Sequence, residues 1–128
     1  MAKILIVDDD PDILEVVGMV LEKEGHETAT APSREEGMAA VKSFQPDLIV
    51  LDVMMDQPDD GFVMAQDLRK GGFAAPILML TSVGKVTGMD FGADESVVPV
   101  DDFQEKPISP DALIEKVKAL LAKKGGGA

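Results

Sequence analysis

Three runs of uninterrupted apolar residues stand out along the chain: Ile4-Leu5-Ile6-Val7, Leu48-Ile49-Val50-Leu51 and Ile77-Leu78-Met79-Leu80, the last preceded by Pro76. They are short, rich in β-branched or bulky residues, and lack apolar/polar alternation. That pattern predicts strands buried on both faces, as in a parallel sheet. Glu27 to Ala31 is a weaker strand of lower apolar content and belongs nearer an edge. Between these runs the period changes to that of a helix. Ile13, Val17, Val20 and Leu21 share one helical face. Met38, Val41 and the alanines between them share a second, and Leu113, Val117, Leu120 and Leu121 a third.

The boundaries carry their own chemistry. Asp10-Pro11 is an N-cap followed by proline at the first helical position, and Gly25 ends that helix. Ser33-Arg34-Glu35-Glu36 is a capping box, and Pro46 closes the helix it starts. A loop with Pro58, Asp59 and Asp60 leads into a helix through Leu68, which Gly71-Gly72 breaks. Ser109-Pro110-Asp111 caps the final helix, and Lys123-Lys124 suits its negative end. Residues 125–128 read as a disordered tail after a single domain spanning 1–124.

The stretch from Ser82 to Glu105 resists this reading. Gly84, Gly88 and Gly92 argue against a long regular helix. A fourth helix there is shortened or irregular, one or two turns around Val86 to Phe91, with a last strand between Val97 and Lys106. Strand and helix thus alternate along the whole chain. Right-handed crossovers then place helices on both faces of a five-stranded doubly wound α/β sheet. A flavodoxin-like order 2-1-3-4-5 would make the first and third strands neighbours.

Bulk composition narrows the function. Twelve Lys and Arg against 24 Asp and Glu leave a net charge of −12 in 128 residues, which disfavours direct nucleic-acid binding. With no cysteine and one histidine, His26, thiolate and imidazole metal clusters are excluded. The N-terminus resembles neither a signal peptide nor a membrane span, so a cytoplasmic location without membrane insertion is expected.

Ligands in open α/β sheets bind beyond the carboxyl ends of the strands. Here those ends carry Asp8-Asp9-Asp10, Asp52 and Thr81, with Lys106 after the last strand. Singly, several have plain explanations: Asp10 as an N-cap, Asp59 and Asp60 as loop or capping residues, Thr81 as a strand terminus, Lys106 as a surface lysine. Asp8, Asp9 and Asp52 each follow a buried apolar run, where an idle charge is costly. Two carboxylates about 4 Å apart repel by roughly 4 kcal/mol at an effective dielectric near 20. A proton or a cation must relieve that repulsion, and an all-carboxylate cluster suits Mg2+.

The set Ile4-Leu5-Ile6-Val7-Asp8-Asp9-Asp10-Pro11, Pro46-Asp47-Leu48-Ile49-Val50-Leu51-Asp52-Val53-Met54-Met55, Pro76-Ile77-Leu78-Met79-Leu80-Thr81-Ser82 and Lys106-Pro107 resembles the receiver domain of bacterial response regulators, in order and over nearly the whole chain. The resemblance implies that Asp52 is the phosphoacceptor of a two-component phosphorelay. It implies Mg2+ held by Asp9 directly, by Asp8 largely through water, by Asp52, and by the backbone carbonyl of Met54. Thr81 would hydrogen-bond the phosphoryl group, Lys106 would pair with it, and the Lys106–Pro107 bond would be cis. The implied donor is a sensor histidine kinase or histidine phosphotransfer protein. The implied output is a conformational change read by a downstream protein. No output domain follows residue 124, so a stand-alone receiver is expected, although the terminal glycines also fit the start of a linker.

The chain departs from the family in places. Asp56 stands where proline is usual, and the loop to Gly61 is longer by one residue than the family's. The switch aromatic falls on Phe103, which has no hydroxyl and serves equally well as a packing residue. The altered 82–105 segment leaves open a phosphorylation-independent interaction module on the same fold. An enzyme is disfavoured: a haloacid-dehalogenase-like phosphatase needs a second Asp where Met54 stands, and a flavodoxin needs a phosphate-cradling loop where Asp8 to Pro11 stand.

Met54 and Val83 flank the acceptor site, and neither side chain can orient an attacking water. The phosphoryl group is therefore expected to be lost slowly in Mg2+, and Met54→Asn to speed that loss. Time-resolved intact mass after donor removal checks this; rapid decay that Met54→Asn leaves unchanged contradicts it.

Overall fold

The computed structural model describes residues 2–52, 60–82, 102–106 and 109–126; side chains at positions 60, 62, 81, 82, 102–106 and 123–126 are outside the description. The described elements are β1 (Lys3–Val7), α1 (Pro11–Lys23), β2 (Glu27–Ala31), α2 (Arg34–Phe44), β3 (Leu48–Asp52), α3 (Asp60–Lys70), β4 (Ile77–Ser82), β5 (Asp102–Lys106) and α4 (Pro110–Gly126). All strand pairs are parallel, in the order β2-β1-β3-β4-β5. The weaker β2 lies at one edge, as its composition predicts. The expected short helix around Val86 to Phe91 lies outside the described residues. The last helix reaches Gly126, so it enters the segment read from sequence as a tail.

Alternate residues of the central strands feed two separate cores, because successive side chains of a strand point to opposite faces. Leu5, Val7, Ile49, Leu51, Ile77 and Met79 pack with Met64, Ala65 and Leu68 of α3, against which Met38, Val41 and Phe44 of α2 also rest. Ile4, Ile6, Leu48, Val50, Leu78 and Leu80 pack with Val17 and Leu21 of α1 and Leu113, Val117 and Leu120 of α4. This two-sided burial is why β1, β3 and β4 read as continuous apolar runs.

The helix ends follow the local chemistry. Ser33 accepts from the Glu36 backbone N–H at 3.2 Å, as the capping box requires. Gly25, at φ +91°, supplies the left-handed turn after α1. His26 follows it, and its Nδ1 accepts from the Ala2 backbone N–H at 3.2 Å. Burial first, then the N-terminal charge, lower the pKa of that imidazole and favour the neutral form this bond needs. At the other end of the sheet's entry side, Arg69 donates to the carbonyls of Phe73 (2.9 Å) and Ala75 (2.8 Å), fixing the turn from α3 into β4.

Two helical glycines behave differently. A Cβ on Gly37 would lie 2.9 Å from Met64 Cε, the far end of a flexible side chain, and 3.1 Å from Val7 Cγ2, so the close approach of α2 to β1 leaves little room for a side chain there. A Cβ on Gly18 would meet nothing nearer than Ile6 Cδ1 at 3.9 Å. Gly18→Ala is therefore expected to stabilise the protein by about 0.5–1 kcal/mol through backbone entropy. Gly37→Ala should destabilise it by about 1–2 kcal/mol, because overpacking against a β-branched core residue outweighs the same entropic gain. Urea unfolding of the two variants checks the opposite signs.

Candidate functional site

Parallel pairing of β1 with β3 sets Ile6 beside Val50 and Val7 beside Leu51. The next residue on each chain is an aspartate, so the register itself carries Asp8 and Asp52 to the same edge. Both are buried, Asp8 at 0% and Asp52 at 4% exposure, while Asp9 is exposed. Carboxylate oxygens from Asp8, Asp9 and Asp52 all lie within 4.8 Å of one another. The convergence expected from the sequence is thus present.

Each aspartate is held there by ordinary backbone structure. The Asp8 N–H donates to the Ala31 carbonyl at 3.1 Å, which carries the β1–β2 contact one residue past the end of β1. Asp8 Oδ1 accepts from the Asp10 N–H at 2.9 Å. Asp10 is the N-cap of α1, and its side chain accepts from the Asp12 N–H at 2.9 Å. The capping role follows from Asp10-Pro11 in the sequence. The backbone contact from Asp10 to Asp8 does not, because any residue at position 10 other than proline has that N–H.

The other predicted residues are placed by their strands. β3 pairs with β4 so that Asp52 lies beside Leu80, and Thr81 is the next residue of β4. β4 pairs with β5 so that Thr81 is beside Glu105 and Ser82 beside Lys106. Thr81, next to last in β4, and Lys106, last in β5, therefore lie at the same edge as Asp52. Phe103 lies within β5, in register with Met79. Met54, Asp56, Asp59, Val83 and the peptide bond to Pro107 lie outside the described residues.

The donor set consists of oxygen only, carries negative charge, and is partly shielded from water. Such a site fits a small hard divalent ion and suits no soft metal. The described residues that would hold Mg2+ are Asp8, Asp9 and Asp52.

Comparison with known proteins agrees with this geometry. The family model for the response regulator receiver domain matches residues 4–118. The DNA-binding dual master transcriptional regulator RpaA of Synechocystis is 39% identical over 127 residues, covering 94% of this chain and 49% of that protein. The alkaline phosphatase synthesis transcriptional regulatory protein PhoP of Bacillus subtilis is 39% identical over 123 residues, covering 93% of this chain and 48% of its own length. The chain thus spans about half the length of these relatives. Among solved structures, a CheY-like receiver domain protein from Methanospirillum hungatei matches with a TM-score of 0.87 at 27% identity, over 100% of this chain and 99% of that one.

Mutual repulsion in the cluster has a measurable consequence. In EDTA, Asp8→Asn is expected to be more stable than the parent by about 1–3 kcal/mol, a part of the repulsion between close like charges. The same variant should lose most of the stabilisation that Mg2+ gives the parent by mass action. Urea unfolding with EDTA and with Mg2+ checks both; a variant less stable than the parent in EDTA contradicts the first.

Proposed function

The chain belongs to the response regulator receiver family, and from that premise we propose that it accepts a phosphoryl group on Asp52 and relays the change to a protein partner. The observation that carries this reading is the cluster of Asp8, Asp9 and Asp52 at the carboxyl edge of the sheet, with Asp52 nearly buried in it.

An Asp52 carboxylate oxygen attacks phosphorus in a donor phosphohistidine on a sensor kinase or phosphotransfer protein. The new O–P bond gives an acyl phosphate, and the P–N bond breaks to leave the donor's imidazole. Phosphoryl transfer depends on positioning and charge neutralisation more than on covalent chemistry from the protein. Mg2+, when bound, neutralises charge on the carboxylates and the incoming phosphoryl oxygens. Asp9 would hold it directly and Asp8 largely through water, together with Asp52 and, as the family resemblance implies, the Met54 carbonyl. Lys106 adds a second cation for the phosphoryl group, and the Thr81 hydroxyl donates a hydrogen bond to it. These two contacts exist only in the modified state, so they bias the β4–β5 end of the fold toward one of two conformations. Phe103, on β5, would be the switch residue by family resemblance, with plain packing as its other role.

The chain assists its own phosphorylation and is not a turnover enzyme. As a receiver it would work in the cytoplasm. No helix among the described residues is long and apolar enough to cross a membrane. Its net charge of −12 puts nucleic-acid contact outside this chain. Its relatives RpaA and PhoP are transcriptional regulators about twice the length of the matched region, so the partner that reads the switch is either a separate protein or a DNA-binding domain joined to it.

Acetyl phosphate with Mg2+ is expected to add the mass of one phosphoryl group to the parent protein. EDTA or Asp52→Ala should abolish the gain. Intact mass spectrometry reads the outcome, and equal modification of Asp52→Ala and parent overturns the assignment.

A further inference from the structure

The first turn of α1 directs its backbone donors onto one residue. The Asp12 N–H donates to the Asp10 side chain at 2.9 Å, and the N–H groups of Ile13 (3.1 Å) and Leu14 (3.2 Å) donate to the Asp10 carbonyl. Pro11 has no N–H to place. Asp10 in turn gives its own N–H to Oδ1 of the buried Asp8, at 2.9 Å. A continuous hydrogen-bonded path therefore runs from a 13-residue helix, through its cap, to a carboxylate of the acidic cluster.

We infer that Asp10 is a positioning residue for the divalent cation: its side-chain cap fixes the backbone at φ −92°, ψ 111°, and that backbone aims the N–H that orients Asp8. The inference rests on the reading of the cluster as the Mg2+ site. The Asp10 carboxylate is spoken for by the Asp12 amide and is not itself among the clustered groups. Its contribution to the cation thus runs through Asp8, as a partner outside the ligand set that orients a ligand. What matters is the cap and not the negative charge.

Those two roles separate by substitution. Asp10→Asn keeps an oxygen acceptor for the Asp12 amide and removes the charge. Asp10→Ala removes both. Asp10→Gly also removes both, but glycine is a tolerable N-cap, so helix stability is nearly kept. Mg2+ titration followed by backbone-amide NMR suits a chain with no Trp or Tyr. Asp10→Asn is expected to bind Mg2+ within about threefold of the parent, and Asp10→Ala and Asp10→Gly about tenfold more weakly, in the range seen when a ligand's orienting partner is lost. Thermal melts should show Asp10→Gly close to the parent, which separates lost positioning from lost folding.

Equal weakening in all three variants would show that charge alone acts, and would overturn the inference. So would unchanged affinity in Asp10→Ala and Asp10→Gly. In both cases parent binding that is lost in Asp9→Asn leaves the metal-site reading standing. If the parent binds no Mg2+, that reading fails and takes this inference with it.

Discussion

The hydrophobic pairing of β1 with β3 holds like charges together at the sheet edge. Val7 lies beside Leu51, and the residues that follow them, Asp8 and Asp52, have no freedom to separate without breaking that register. Ile4 to Val7 and Leu48 to Leu51 are all fully buried. Each such side chain contributes about 1.5–3 kcal/mol of gross burial energy. The repulsion between two carboxylates about 4 Å apart is roughly 4 kcal/mol at an effective dielectric of 20. Strand pairing therefore wins by a wide margin. The repulsion between the carboxylates stays in the folded protein, and a proton or a bound cation would lower it.

This division of labour explains what could be read from the sequence. Strands β1, β3 and β4 are buried on both faces by α1 and α4 on one side and α2 and α3 on the other. Double burial writes itself as an unbroken apolar run, so these strands and their aspartate endings are visible at once. The caps at Asp10 and Ser33 were equally legible, because capping demands particular side chains. Once the strand order is set, adjacency of β1 and β3 turns two distant aspartates into one site.

Interactions made by the backbone left no such mark. Gly37 carries no sequence signal of its role, yet its missing Cβ lets α2 approach Val7 and Met64 closely. The last helix runs two residues into the glycines expected to form a tail, although glycine is a poor helix former. The donation from Asp10 to Asp8 was invisible for a deeper reason: a main-chain N–H is common to nearly every residue, and only the turn between β1 and α1 decides where it points.

That turn also bears on how such a site can be both strained and well ordered. A carboxylate repelled by its neighbours would rotate away if its side chain were loose. Asp8 is held at both ends, by its own N–H on Ala31 of β2 and by its oxygen on the Asp10 amide. The two anchors belong to different elements, an edge strand and a helix, each fixed by its own packing. Electrostatic repulsion therefore acts on a side chain held in place by two hydrogen bonds, and a proton or a bound cation lowers its energy. A receiver has use for that combination, because a cation drawn to the clustered carboxylates would also supply positive charge where phosphoryl oxygens arrive.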